Sequence, residues 1–210
     1  MNAFSYRIQT LQPSAIREIL KFTADPTVIS FAGGNPSLAA LPDEICAELA
    51  HDVMKADGKR ILQYGAPEGY PPFVESLNAY IQQQYGFDLE LNGVLPTTGS
   101  TAGMELVCKA MLNPGDTVLV ESPTFLGNMQ CLNLYQVNLI PVDSDDDGID
   151  VDKLEEVFKN ERPKMLYIIP TFQNPAGITT TEAKRRAVYE IAKKNGLVIL
   201  EDNPYGDLRI

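Results

Sequence analysis

The 210-residue sequence contains one histidine, three cysteines and no long apolar run, and each shortage excludes a class of protein. His51 alone cannot build a histidine-based metal site or a catalytic triad. Cys46, Cys108 and Cys131 are odd in number and too widely spaced for zinc, so we expect free, buried, inert thiols. No stretch approaches the roughly 20 apolar residues that a membrane helix needs, and residues 1–7 lack the apolar core of a signal peptide. We therefore expect a cytoplasmic protein with no membrane partner.

Basic residues are also scarce. Against 28 aspartates and glutamates there are 17 lysines and arginines, which gives a net charge of -11. A surface of this sign repels nucleic acids and anionic membranes at long range. The composition is otherwise that of a folded globular protein, with 44% hydrophobic and 21% charged residues. The expected ligands are therefore small molecules, and no nucleic-acid partner is expected.

What the sequence does contain is an alternation of apolar runs and helical patterns after residue 93. Short apolar runs bounded by turn residues predict β-strands at 94–97, 117–120, 137–140, 165–169 and 197–200. Apolar residues at helical spacing predict helices among them, marked by Met104 and Val107, by Leu154 and Phe158, and by Val188 and Ile191. The alternation predicts an α/β fold, with a mostly parallel sheet and helices on both faces.

Two helices are predicted before this alternation. Asp43 can cap the first, whose apolar residues Ile45, Leu49 and Val53 recur at every fourth position. The second is marked by Phe73, Leu77 and Ile81. Glycine and proline in the stretch between them, 63–70, predict an ordered loop.

An acidic run contains only part of a calcium-binding pattern. Asp143, Asp145, Asp147 and Gly148 match the first half of such a loop, but Leu154 stands where a bidentate glutamate is required. We therefore expect a solvated acidic turn between a strand and a helix, and no metal site.

Three polar segments follow predicted strands, at the edge where open parallel sheets bind ligands. Thr98–Gly103 opens a helix, and its N–H groups with the Ser100 and Thr101 hydroxyls suit an anion, although a simple capped helix is the alternative. Asp202 ends the last strand, where a buried carboxylate could pair with a protonated ring nitrogen or simply precede an Asn-Pro turn. Gln173–Gly177 opens the last helix, and a plain turn into that helix is its alternative.

In this order and spacing, the three segments resemble the pyridoxal-phosphate-dependent aminotransferases of fold type I. The resemblance favours the subgroup of aminoadipate, kynurenine and aromatic aminotransferases, and it spans the whole chain from the segment Ser30–Pro36 onward. It implies a homodimer that transfers an amino group between an amino acid and a 2-oxo acid, with pyridoxal phosphate as its cofactor.

The resemblance also implies residue roles at the cofactor. Asp202 would hold the proton on the ring nitrogen, and this keeps the cofactor an electron sink. Phe125 would stack on the ring, while Ser100 and Thr101 would bind the phosphate.

Four further roles follow from the same resemblance. Asn174 and Tyr205 would both donate to the phenolic oxygen of the cofactor, and so lower the pKa of its imine. Tyr64 would reach across the dimer to the cofactor phosphate. Gly34 would lie near the substrate carboxylate, with Asn174 also contacting substrate.

The chain departs from the family at its carboxyl end. The family's cofactor-bearing lysine lies beyond the Tyr205 motif, so we expect it, and the arginine that grips the substrate carboxylate, beyond Ile210. No catalytic residue is then expected in this chain, which should be inactive alone. The implied domains are 1–45, an amino-terminal segment of the small domain with a linker, and 46–210, the first part of the cofactor-binding large domain, whose remainder is missing.

Two other functions fit the same fold. One is the effector-sensing domain of a transcription regulator, although no basic helix-turn-helix precedes residue 30. The other is a different pyridoxal-phosphate chemistry, such as β-elimination from a sulfur amino acid. Sequence beyond Ile210 would distinguish these better than any residue within the chain.

Overall fold

The computed structural model describes residues 3–9, 22, 25, 27–29, 34, 36–90 and 92–208. The chain divides into two compact units, one made of Pro13–Thr97 and the other of Met1–Gln12 together with Thr98–Ile210. The implied domains, 1–45 and 46–210, rest on the family resemblance, and that boundary stays a prediction.

Helices and strands alternate through most of the second half of the described chain. The α-helices are α1 (Tyr6–Gln9), α2 (Asp43–Ile61), α3 (Pro71–Tyr85), α4 (Ser100–Met111), α5 (Leu126–Leu134), α6 (Val151–Val157) and α7 (Glu182–Asn195), with a short 3-10 turn at Leu38–Ala40. The strands are β1 (Thr117–Ser122), β2 (Asn138–Asp145), β3 (Gly148–Ile149), β4 (Met165–Ile168) and β5 (Val198–Glu201).

In the Pro13–Thr97 unit, the two predicted helices are α2 and α3. Asp43 and Glu44 occupy the first turn of α2 and Lys59 and Arg60 its last, where each charge suits the helix dipole. Neither helix has a buried residue. The predicted apolar face of α2 is therefore exposed, with Ile45 60% accessible.

The five strands form one sheet in the order β3-β2-β1-β4-β5. β1 pairs in parallel with β2 and β4, and β4 pairs in parallel with β5, while β3 is an antiparallel partner of β2. The predicted, mostly parallel sheet is confirmed. The predicted strand 94–97 is wrong, because these residues are irregular: Pro96 lacks an N–H, and no strand of the described chain pairs with them.

Helices cover both faces of the sheet, as predicted. Since side chains alternate along a strand, β1 sends Val118 and Val120 to one face and Leu119 to the other. The first face packs on α4 and α5 through Met104, Cys108, Cys131 and Leu132. The second packs on α6 and α7 through Leu154, Val188, Ile191 and Ala192.

The acidic run differs from its prediction. β2 continues through Asp145 and turns back into β3, so the acidic turn joins two antiparallel strands rather than a strand and a helix. The Lys184 ammonium forms ion pairs with Asp145 and, at 2.8 Å, with Asp147. A lysine thus occupies the centre of this cluster.

The three cysteines are free, but only two are buried. Cys108 and Cys131 lie in the core beneath α4 and α5, as expected. The prediction that all three are buried is wrong for Cys46, which is exposed because α2 buries none of its residues. Across the described residues, no helix combines the length and apolarity that crossing a membrane requires.

Candidate functional site

The topology places a crevice at the carboxyl ends of β1 and β4. The chain leaves β1 for β2 on one side and then returns to β4 on the other, so the strand order reverses between these two neighbours. Ligands of open α/β sheets bind at such a reversal. The segments that follow β1, β4 and β5 are therefore the ones that can line a ligand site.

Asp202, which follows β5, is held by a buried pair of polar side chains. Its Oδ2 accepts hydrogen bonds from the Tyr167 hydroxyl at 2.7 Å and from the Asn128 amide at 3.0 Å. Asn128 also donates to the Tyr167 oxygen at 2.8 Å, which closes a triangle. Within the described chain both bonds to the carboxylate end on Oδ2, so Oδ1 is available to a ligand.

Burial keeps the Tyr167 hydroxyl of this triangle protonated. Tyr167 is fully buried, and burial, followed by the hydrogen bond to Asp202, raises the pKa of its hydroxyl well above the ordinary value. The hydroxyl therefore remains a donor to Asp202 at any physiological pH.

Phe125 follows β1 and immediately precedes α5. Its ring lies against the first turn of that helix: a Cβ on Gly127 would stand 2.6 Å from two ring atoms. The inner part of the ring packs on the α4 and α5 side of the core. The absence of a side chain at Gly127 is therefore what lets the ring occupy this position.

Asn174 and Tyr205 come from separate segments and meet at the same edge. The Asn174 amide nitrogen lies 3.5 Å from the Tyr205 hydroxyl, at the outer limit of a hydrogen bond. Two donors so placed can converge on one oxygen of a ligand.

Ser100 and Thr101 are the first two residues of α4, and both are exposed. The N-cap residue that precedes the helix is Gly99, whose φ of 84° suits a glycine and which has no side chain to cap the helix. The two hydroxyls therefore stand beside the positive end of a 12-residue helix, where an anion is favoured.

Tyr64 and Gly34 belong to the Pro13–Thr97 unit. Tyr64 is fully exposed in the loop between α2 and α3, and Gly34 is exposed as well. Of the predicted segment Ser30–Pro36, only Gly34 and Pro36 lie within the described residues. The roles of both residues stay predictions.

Sequence reasoning missed three polar residues that this edge buries, Glu121, Asn128 and Tyr167. Gln173, from the predicted segment Gln173–Gly177, is buried as well. Glu121 accepts a hydrogen bond from the Ile169 amide at 2.8 Å, and burial raises the pKa of its carboxyl to about 7. One signal was available, because Glu121 ends an apolar run just as Asp202 does. Asn128 gave none, since its helix carries no single apolar stripe.

Comparisons with known proteins agree with this architecture. The family described as aminotransferase class I and II matches residues 26–209. The aromatic-amino-acid aminotransferase 1 of Thermococcus litoralis is 36% identical, over 98% of this chain and 51% of its own length. The 2-aminoadipate transaminase of Thermus thermophilus is 40% identical, over 98% of this chain and 50% of its own.

A solved structure gives the same result. A kynurenine aminotransferase of Pyrococcus horikoshii, crystallised with PMP, superposes with a TM-score of 0.92 at 36% identity, over 99% of this chain and 52% of its own. This chain spans about half the length of the curated relatives it matches. By the family match and these relatives, the chain belongs to the class I and II aminotransferases.

Proposed function

We propose that this chain supplies the amino-terminal half of a pyridoxal-phosphate-dependent aminotransferase, which moves an amino group between an amino acid and a 2-oxo acid. The Asp202 carboxylate carries the proposal. It stands at the strand-order reversal, Tyr167 and Asn128 bind one of its oxygens, and the other is available. A half-buried carboxylate in this position suits a cationic ring nitrogen.

The donor set fits pyridoxal phosphate. When bound, this cofactor supplies an electron sink for the carbanion left after the α-proton of the substrate departs. Asp202 would hold the proton on the ring nitrogen through a charge-assisted hydrogen bond, which that chemistry requires. The hydrogen bonds from Tyr167 and Asn128 would keep the carboxylate in place for this contact.

Three other side chains would orient the cofactor. Phe125 offers a ring face whose position is set by Gly127. Asn174 and Tyr205, 3.5 Å apart, would donate to the phenolic oxygen. Together these contacts would hold one face of the pyridine and its phenolic oxygen.

The phosphate would lie at the start of α4. Ser100 and Thr101 would add two hydroxyl donors to the helix N-terminus, since neither is used as the helix cap. The exposure of both residues agrees with contact to a charged, hydrated group.

The rest of the active site would come from elsewhere. The cofactor-bearing lysine and the carboxylate-binding arginine are proposed to lie beyond Ile210, so this chain by itself would not turn over. Tyr64 would reach the phosphate of a partner subunit in a homodimer, and Gly34 and Asn174 would contact substrate. A cytoplasmic location is part of the same proposal.

The test is the cofactor's absorbance with the Asp202→Ala variant. Pyridoxal phosphate added to the protein should give a band near the visible edge, which the variant weakens or abolishes. Affinity should fall by about 3 kcal/mol, or more than about a hundredfold in Kd, because one partner of a charge pair is lost.

Asp146→Ala is the matched control. It removes an exposed carboxylate from the turn between β2 and β3 and should leave both band and affinity unchanged. Equal spectra and equal Kd for the wild type and Asp202→Ala would contradict the assignment of Asp202.

A further inference from the structure

Glu121 stands apart from the other acidic side chains. It is only 2% accessible, and it is the one carboxylate that the described part of the chain buries. Burying a carboxylate costs free energy unless a specific contact compensates it. Its position near the end of β1, beside the strand-order reversal, suggests that the compensating contact concerns the crevice.

Glu121 makes its hydrogen bond just beyond the paired part of β1 and β4. The two strands pair in register from Val118 with Met165 to Val120 with Tyr167. One step further, the Ile169 amide donates at 2.8 Å to the Glu121 side chain instead of to a backbone carbonyl. The carboxylate therefore spans the gap at which the strands separate and the crevice opens.

Gln173 extends this contact to the loop after β4. Burial raises the pKa of Glu121, and the neighbouring Ile169 amide and Gln173 side chain oppose the rise. Gln173 is 4% accessible. It donates to the Pro123 carbonyl at 2.6 Å and accepts from the Ala176 amide at 2.8 Å. The next residue along is Asn174.

We propose that Glu121 is a positioning residue for Asn174. Glu121 binds the Ile169 amide and Gln173 binds the Pro123 carbonyl; together these two hydrogen bonds tie the loop after β4 to the end of β1, and so set where the Asn174 amide stands. This inference rests on the proposed function, in which Asn174 donates to the cofactor's phenolic oxygen.

The test separates positioning from simple stability. Glu121→Ala removes the hydrogen bond from the Ile169 amide, whereas Glu121→Gln keeps an acceptor of the same shape. Gln173→Ala removes the hydrogen bond to the Pro123 carbonyl, the second bond of the tie. Leu119→Ala is the matched control, because it creates a cavity on the same strand, two residues before Glu121, without removing a hydrogen bond to the loop after β4. Amide exchange at residues 169–177 is measured in each cofactor-free protein.

We expect Glu121→Ala and Gln173→Ala to speed exchange across the loop roughly tenfold relative to its surroundings. Glu121→Gln should stay near the wild-type rate, and Leu119→Ala should speed exchange throughout the unit without singling out the loop. If Glu121→Ala does not fold, the exchange rates of the loop are measured in Gln173→Ala instead.

The second readout is the pH midpoint of the cofactor's absorbance change in the complete aminotransferase. Displacing Asn174 weakens a hydrogen bond that favours the deprotonated form, so the midpoint should rise by roughly one pH unit in both tie variants and not in Leu119→Ala. An unmoved midpoint and unchanged loop exchange would overturn the inference. A wild type with no absorbance band would instead contradict the proposed function, and the exchange rates would still decide whether the tie exists.

Discussion

At the scale of the residue, the site is built from polar groups that share one oxygen. Tyr167 and Asn128 both bind Oδ2 of Asp202 and also bind each other. Because burial raises the pKa of the Tyr167 hydroxyl, this group stays neutral and donates its proton to the hydrogen bond. Both donors therefore bind one oxygen of Asp202, and its second oxygen is available to a ligand.

Glu121 also predicts a pH dependence of stability. Its pKa in the folded protein is about 7, above the ordinary value of 4.5. Between these values the folded state still binds a proton that the unfolded state has released, so stability falls as pH rises through this window and then levels off. The contribution is at most about 3 kcal/mol, since each tenfold change in proton affinity is about 1.4 kcal/mol.

Urea unfolding near pH 4.5 and again above pH 7 measures the effect, with Glu121→Gln as comparison because it cannot titrate. The wild type should lose more stability than the variant between the two conditions. If both lose the same amount, the slope comes from other groups.

At the scale of the element, the first turn of α5 is shaped to receive a ring. A Cβ at Gly127 would meet two atoms of the Phe125 ring at 2.6 Å, so Gly127→Ala should turn the ring away. Global stability should change by less than about 1 kcal/mol, because the higher helix propensity of alanine offsets part of the cost of displacing the half-buried ring. Pyridoxal phosphate should bind several-fold more weakly.

Thermal melting of Gly127→Ala measures the change in stability, and cofactor titration measures the change in affinity. Gly93→Ala, where an added Cβ meets nothing within 4 Å, is the control. Wild-type affinity in Gly127→Ala would mean that the ring does not contact the cofactor.

Among the strands, continuous apolar runs were the ones that sequence could predict. β4 and β5 are continuous apolar runs ending at polar turns, and their patterns give both type and place. Residues 94–97 are equally apolar, but no strand of the described chain pairs with them, and a strand exists only with its partner. The short helix α5 escaped prediction because its apolar residues do not recur on one face.

The same distinction holds within the site. Asp202, Asn174 and Phe125 follow strands, so their place could be predicted from local pattern. Asn128 and Glu121 act through partners 74 and 48 residues away, namely Asp202 and Ile169. Contacts of that kind depend on the finished sheet and have no local signature.

At the scale of the whole molecule, no lysine of the described site is placed to carry the cofactor. Lys164 precedes β4, at the opposite end of the sheet from Asp202, and pairs with Asp116 at 2.9 Å. Lys153 pairs with Asp143, and Lys184 with the acidic turn. Borohydride reduction of this chain with pyridoxal phosphate should therefore label no lysine specifically.

Peptide mapping by mass spectrometry reads the result. A complete aminotransferase should be labelled at one lysine beyond Ile210, and weak labelling scattered over exposed lysines is the expected background. Stoichiometric labelling of a single lysine within residues 1–210 would show that the catalytic lysine has been wrongly placed.

The order of the sheet has a consequence for the colloidal behaviour of this chain. Among the described residues, β5 is an edge strand of the sheet, and its apolar residues Val198–Leu200 are only half-buried, whereas every residue of β4 is buried. An open apolar edge is a template for another strand, while the net charge of -11 keeps copies apart by repulsion. Added salt screens that repulsion without weakening the edge, so ionic strength governs whether these chains stay dispersed or associate.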